Sequence, residues 1–279
     1  MQKEIIQAIH HLKITLHESP AVLIGAGSGL STAAGYTYDG QRFAENFQDF
    51  MQAYGVQDMY SAGFYPFPNE RVRWAYWSRT VMLNRYQAPS FPVYEKLLHL
   101  VQDKDYFVLT TNVDHMFQRA GFDKLRLFYT QGDYGLFQCS VPCHAKTYDN
   151  ETTIRAMVAE QKGMQVPSHL VPHCPRCGES MTMNLRIDDT FVEDEGWQAA
   201  NQRYLEFLQA HEGKPLLLLE IGVGMNTPGI IKYPFWHMAK EEPRWQFASL
   251  NQEVYVPEDL RKKSILIRGD LRAVIDALS

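Results

Sequence analysis

An α/β fold, with a parallel sheet covered by helices on both faces, is predicted for this chain of 279 residues. Short apolar runs of strand length alternate with segments of helical periodicity, which is the order that builds parallel sheets. The first of these runs is apolar throughout rather than alternating, as a strand covered on both faces is. It breaks directly into GAGSGLSTAAG, a glycine-rich turn that feeds a helix.

Ile5, Ile9, Leu12 and Leu16 fall at helical spacing, so the chain opens with a helix that packs one stripe on the core. Ala21 to Ile24 reads as the first strand. From Phe43 to Tyr86 the aromatic and Met-rich sequence reads as helices interrupted near Pro66 and Pro68, a lid or subdomain whose stripe Phe43, Phe47, Phe50 and Tyr54 is packing. Pro92 to Val101 is a helix leading into a strand at Tyr106 to Leu109, and Leu125 to Tyr129 is the next strand. Between Cys139 and Cys177 the pattern gives way to polar, proline-containing sequence, which marks an inserted module. Trp197 to Ala210 then reads as a helix and Leu216 to Ile221 as a buried strand. Gln246 to Asn251 and Ile265 to Ile267 are further strands, and Leu271 to Leu278 is the closing helix. There is no internal repeat.

Hydrophobic residues make up 45% and charged residues 21%, and no apolar run approaches bilayer length, so no membrane span is expected. The opening residues lack the apolar block of a signal peptide, and a cytoplasmic location is expected. A net charge of −5 without a basic run argues against nucleic acid as the main partner.

Gly25, Gly27 and Gly29 follow a strand and precede a helix, where backbone N–H groups can meet a pyrophosphate. The spacing is not the usual G-x-G-x-x-G, and a plain strand-to-helix turn fits as well. Ser31 and Thr32 cap that helix or touch phosphate. Cys139 and Cys143 are spaced C-x3-C, and Cys174 and Cys177 are spaced C-x2-C. Together they can present four thiolates to one tetrahedral zinc, which would tie a loop-rich insertion together. A redox pair is the competing reading, but CPRC does not open a helix after a strand. His144 and His173 adjoin the cysteines as substitute ligands.

GAGSGLSTAAG, TTNVDHMFQRAG, the pair Gln131-Gly132, both cysteine pairs and EIGVGMNTP occur in one order, from about Ala21 to Leu278. That order resembles the sirtuins. The resemblance implies a Rossmann-like domain, built from residues 1–40, 88–132 and 186–279, that binds NAD. It also implies a small domain made of a helical insertion, 41–87, and a zinc-binding insertion, 133–185. Gly25, Ala26 and Gly27 resemble the family's phosphate loop, with Ser31 and Thr32 beyond it. Asn112 and Asp114 resemble its ribose and nicotinamide pocket. Gly222, Val223, Gly224 and Asn226 stand where a glycine turn approaches the cofactor. Asn251 resembles the residue at the adenosine ribose, and Asp270 and Leu271 lie near the adenine. Asp270 also fits a helix cap, and Asn251 a loop amide.

Three departures carry the functional reading. The family's TQN is TTN here, with Thr111 in place of Gln; its PDFR is TYDG, leaving Tyr38 or Asp39 to rebuild the nicotinamide contacts. Its catalytic histidine is Gln131. An imidazole can take a proton from a ribose hydroxyl near neutral pH and an amide cannot, so deacylation should be crippled while cleavage of the nicotinamide bond survives. These variants resemble the macrodomain-linked branch of the sirtuins. That branch implies an NAD-dependent protein ADP-ribosyltransferase acting on a lipoylated glycine-cleavage H-like carrier, with a macrodomain protein as a further partner. It implies catalytic roles for Asn112, Asp114, Gln131 and Arg186. The plain role of Arg186 is a salt bridge to Asp188 or Asp189. His115 reads as structural. A deacylase, an NAD hydrolase and a non-catalytic NAD sensor are the alternatives.

Overall fold

The computed structural model describes residues 3–87 and 92–279. These fall into two compact units, one formed by residues 3–35, 92–131 and 196–279, the other by 36–87 and 132–195. Residues 1 and 88, where two expected domain segments begin, lie outside the described residues. Residues 186–195, expected with the Rossmann-like domain, fall in the second unit.

In the first unit six strands form one parallel sheet: β1 (Ala21–Ala26), β2 (Asp105–Thr110), β3 (Leu127–Tyr129), β7 (Leu216–Ile221), β8 (Trp245–Asn251) and β9 (Ser264–Arg268). Their order is β3-β2-β1-β7-β8-β9, so the chain works outward from β1 in one direction and then restarts on its other side. β1 and β7 are buried at every position because helices cover both faces. Successive strand residues face opposite ways. Ala21, Leu23, Phe107, Leu109, Leu216, Leu218 and Phe247 join one core with Ala200 and Phe207 of α9 (Glu195–His211) and Phe235 and Ala239 of α10 (Lys232–Glu241). α1 (Lys3–Glu18), α2 (Ser28–Ala33), α6 (Pro92–Val101) and α12 (Leu271–Leu278) pack with one another and with β8 and β9, and the short helices α7 (Met116–Arg119) and α11 (Glu258–Arg261) follow β2 and β8.

In this unit one sequence expectation is corrected and one helix lies outside every sequence expectation. The strand expected from Leu125 starts at Leu127, because Lys124–Arg126 closes a 3-10 turn capped by Asp123, whose carboxylate accepts from the Leu125 N–H at 2.9 Å. Helix α10 was not legible at all: Pro234 sits in KYPFWHMAKE. It lies in the first turn, where no intrahelical donor is required, so it does not break the helix.

The second unit contains α3 (Gly40–Tyr54), α4 (Met59–Ala62), α5 (Glu70–Val81), a π-helical turn Met82–Tyr86 and α8 (Glu151–Glu160). Phe43, Phe47 and Phe50 are buried, and the Phe43 and Phe47 rings stack at 5.1 Å. The segment from Cys139 to Cys177, read as patternless, holds β5 (Tyr148–Asp149), which joins β4 (Gly132–Cys139) and β6 (Met181–Leu185) on either side of that segment in an antiparallel sheet ordered β5-β4-β6. Its register shifts between Gly132 and Phe137, which erases the period-two signal a sequence reading needs.

Candidate functional site

The parallel arrangement puts the chain after β1, β2, β7, β8 and β9 at one edge of the first unit's sheet. The reversal of strand order between β1 and β7 is the point where open α/β sheets leave a crevice for a ligand.

At that crevice the glycines serve first to let two loops touch. The Gly27 N–H donates to the Ile221 carbonyl at 3.0 Å and the Gly29 N–H to the Gly222 carbonyl at 2.9 Å. Those two amides, expected from the sequence to be available to phosphate, are therefore already engaged. A Cβ on Gly27 would stand 2.7 Å from the Gly222 oxygen, and one on Gly25 would meet Ile231 at 2.5 Å and Phe235 at 2.7 Å. Gly222 itself has φ +62° and its missing Cβ would lie 2.4 Å from the Leu30 nitrogen, so a left-handed conformation and a backbone crossing both require glycine there. Gly25 and Ala26 are the last two residues of β1 and are buried, Val223 is buried, and Gly224 and Asn226 are exposed in the loop that follows β7.

Beside this crossing lies a buried polar chain. The side-chain nitrogen of Asn112 donates to the Gly27 carbonyl at 3.0 Å and to the Tyr94 hydroxyl at 3.4 Å. Ser31 Oγ donates to the Asp114 carboxylate and stands 2.9 Å from the Tyr94 hydroxyl. A serine hydroxyl has one proton, and here the carboxylate takes it, so Tyr94 must be the donor to Ser31. The order Asn112 to Tyr94 to Ser31 to Asp114 follows. Asp114 also accepts from the Met116 N–H at 3.2 Å, closing a turn in which His115 takes φ +66°, left-handed for a residue with a side chain. Both amide hydrogens of Asn112 are thus committed, while no group among the described residues donates to its Oδ1. Thr110 supports the arrangement by donating to the Ala26 carbonyl at 3.0 Å and accepting from the Asn112 N–H at 3.0 Å.

Gln131 is half-buried and follows β3. The residue before it is tied down: the Thr130 N–H donates to the Thr110 carbonyl at 3.0 Å, and its own carbonyl accepts from the Trp197 indole at 3.1 Å. Thr32 is exposed on α2 and its carbonyl accepts from Gly35 N–H at 2.9 Å. Asn251 donates to the Val223 carbonyl at 2.9 Å, bracing the loop after β7. Asp270 caps α12 by accepting from the Ala273 N–H at 2.9 Å, and Leu271 is core.

In the second unit the Tyr38 and Tyr134 hydroxyls meet at 2.8 Å. Arg42 donates to the Thr37 carbonyl at 2.8 Å and Asn84 Oδ1 at 2.9 Å, fixing the TYDG segment. Burial draws the Arg42 guanidinium below its ordinary value, opposed by Tyr38, Tyr36 and Tyr134. Arg186 pairs with Glu193, not with Asp188 or Asp189, and lies 4.5 Å over the Phe191 ring. Asp188 is instead occupied by its own turn, accepting from the Thr190 N–H and hydroxyl.

Cys139, Cys143, Cys174 and Cys177 converge, all four sulfurs within 4.8 Å of one another. Cys139 to Cys177 is 3.6 Å and Cys143 to Cys174 is 3.7 Å. A tetrahedral zinc with bonds of about 2.3 Å sets its sulfurs about 3.8 Å apart, so the four thiols fit that ion. His144 lies outside the set, its Nδ1 3.0 Å from Cys143 Sγ and its Nε2 2.7 Å from the Tyr148 hydroxyl. His173 Nδ1 lies 3.1 Å from the Gly178 carbonyl.

Sequence reasoning missed Tyr94, Thr110 and Trp197. Tyr94 was one more apolar-stripe residue in a helix, and only its hydroxyl, a polar handle on a buried ring, distinguishes it.

No family model matches the chain. Solved structures that share this architecture include a Sir2 homologue in complex with NAD, with a TM-score of 0.62 over 96% of this chain and 91% of that one at 15% identity. A Sir2 bound to acetylated peptide gives 0.57 over 96% and 95% at 18% identity. The fold is therefore that of the sirtuins. The chain is 38% identical over 266 residues to a protein ADP-ribosyltransferase of Staphylococcus aureus, covering 95% of this chain and 84% of that protein. It belongs to the family of that ADP-ribosyltransferase. It is also 34% identical over 245 residues to a probable bifunctional ADP-ribose hydrolase/ADP-ribosyltransferase of Fusarium oxysporum f. sp. cubense, spanning 78% of this chain but only 38% of that longer protein.

Proposed function

We propose that this protein is an NAD-dependent protein ADP-ribosyltransferase of sirtuin type. It releases nicotinamide and passes ADP-ribose to a protein acceptor, a lipoylated glycine-cleavage H-like carrier. The observation that carries the reading is Asn112: with both amide hydrogens committed to Gly27 and Tyr94, its Oδ1 is held as an acceptor at the crevice. A ribose hydroxyl is the donor such an oxygen would take. Breaking the nicotinamide bond develops positive charge at the ribose carbon, and a fixed carbonyl dipole stabilises it without reorganising. Asp114 and Ser31 position that amide. Gln131 can orient a hydroxyl but cannot remove its proton, which favours transfer over deacylation. Arg186 supplies a permanent cation for an anionic group of the cosubstrate or acceptor.

The remaining NAD contacts in this reading come from Gly25, Ala26, Gly27, Thr32, Tyr38, Gly222, Val223, Gly224, Asn226, Asn251, Asp270 and Leu271. Zinc on the four cysteines is structural, since no coordination position is left open. The names of the two relatives support the activity, and the fungal relative's name joins it to an ADP-ribose hydrolase; a macrodomain protein is the further partner in this reading.

The test is the intact mass of a candidate carrier, with and without its lipoyl group, after incubation with this protein and NAD. An increment of one ADP-ribose on the lipoylated form alone is expected. O-acyl-ADP-ribose formed from an acyl-lysine peptide would favour a deacylase, and free ADP-ribose without any protein acceptor an NAD hydrolase.

A further inference from the structure

Lys232 and Glu220 are both fully buried, and their Nζ and Oε1 are 2.6 Å apart. Glu220 is the penultimate residue of β7 and Lys232 opens α10, so the pair spans the two ends of the connecting loop. Ser249 on β8 donates to the same carboxylate oxygen at 2.7 Å, while Glu220 Oε2 is buried without a partner among the described residues. Burial pushes the Glu220 carboxyl upward and the adjacent Lys232 ammonium opposes that shift, so the carboxylate depends on the lysine for its charge.

Between its ends, among the described residues, the loop has backbone and apolar anchors only toward α10, where the Tyr233 N–H donates to the Pro228 carbonyl at 2.9 Å and Ile231 is core. Its near end is held by the Gly222 N–H on the Leu250 carbonyl at 2.9 Å and by Asn251 on Val223. Among the described residues no side-chain hydrogen bond reaches residues 224–230, and residues 224–227 are exposed. A buried ion pair is weak as a stabiliser, because desolvation cancels much of its attraction, but it tolerates only one spacing. An apolar pair in its place would let the helix start slide.

We propose that Lys232 and Glu220 are positioning residues that staple the two ends of the loop 222–231, holding it preformed at the crevice for the dinucleotide. This rests on the NAD reading above. A loop competent only about a tenth of the time would raise the apparent KM about tenfold while affecting kcat less.

The experiment uses the double variant Glu220→Gln with Lys232→Met, which removes both charges together, and Ser249→Ala, which removes one hydrogen bond and leaves the pair. Amide hydrogen exchange over 222–231 is measured without NAD, alongside thermal melting and the KM and kcat of nicotinamide release. Faster exchange confined to that loop is expected, with KM for NAD raised about tenfold in the double variant and less in Ser249→Ala. Unchanged loop exchange in folded double variant would overturn the staple. So would a loss of kcat with KM unaltered. If the double variant does not fold, Glu220→Asp, which keeps both charges but shortens the carboxylate's reach by one methylene, decides in its place, and wild-type loop exchange in it counts against the proposal. Should wild-type protein release no nicotinamide, the NAD reading fails on its own, and the exchange data still judge the staple.

Discussion

The side-chain nitrogen of Asn112 lies 3.0 Å from the carbonyl oxygen of Gly27, joining the chain after β2 to the chain after β1 across the sheet's edge. The contact fixes which way the amide faces, since its two hydrogens are consumed inward. Asn112→Ala should lower nicotinamide release about 100-fold, the loss typical of one preorganised polar group. Asn112→Asp should be nearly as poor, because a carboxylate cannot donate to Gly27 or Tyr94. Single-turnover nicotinamide release, with melting curves to show that both variants fold, checks this.

Metal analysis of protein prepared without chelator should find about one zinc per chain. Strong chelation should melt the second unit's β5-β4-β6 sheet, because Cys139 ends β4 and the remaining thiols lie on loops with little core. Circular dichroism and hydrogen exchange would follow it, and exchange in the six-stranded sheet should change less. Cys174→Ser should reproduce the effect of chelation.

Gly222→Ala should destabilise the protein by more than about 2 kcal/mol, since the new methyl both strains a left-handed residue and overlaps backbone. The overlap is with the Leu30 nitrogen at 2.4 Å and the Gly29 carbonyl carbon at 2.7 Å, neither of which can rotate away. A shift in denaturant midpoint at constant slope would measure it. Gly229→Ala, where a Cβ meets nothing within 4 Å, is the matched control.

Alkaline stability should depend on Tyr76. It is fully buried, its hydroxyl donates to the Met59 carbonyl at 2.5 Å, and burial raises its pKa well above the ordinary value, with the Thr80 hydrogen bond opposing. A raised folded-state value means the stabilisation is fully present below the unfolded pKa, about 10, and is lost as pH climbs beyond it, at about 1.4 kcal/mol per pH unit for one proton. Tyr76→Phe should therefore flatten the alkaline limb of stability against pH while lowering the plateau at neutral pH. Melting points taken across the alkaline range would show both.

The parts of this protein legible in sequence are those whose physics is local. LLLLEI, Leu216 to Ile221, is a strand with the bounds its apolar run suggests, and Leu271–Leu278 is a helix from its stripe. The cysteine spacing alone foretold a four-thiol cluster, because two close pairs are how a chain presents ligands to one ion. Illegible elements were those with conflicting local signals: β4, with glycines and a register shift, and α10, with a proline in its first turn. The plain alternative for Arg186, a salt bridge to Asp188 or Asp189, looks only to the nearest acids in sequence, whereas Glu193 lies beside it because the segment 186–195 folds back.

Residue identity by itself determined the strand and helix alternation and the cysteine spacing that builds the four-thiol cluster. Tertiary structure alone decided that Tyr94 orders the hydrogen bonds of Asn112 and Ser31, that Gly222 must cross against Leu30, and that Glu220 inside an apolar strand is answered by Lys232. The division has a physical cause. Periodicity and ligand spacing act between near neighbours in the chain, whereas the proton inventory of a hydrogen-bond chain and the neutralisation of a buried charge depend on partners that only folding brings together.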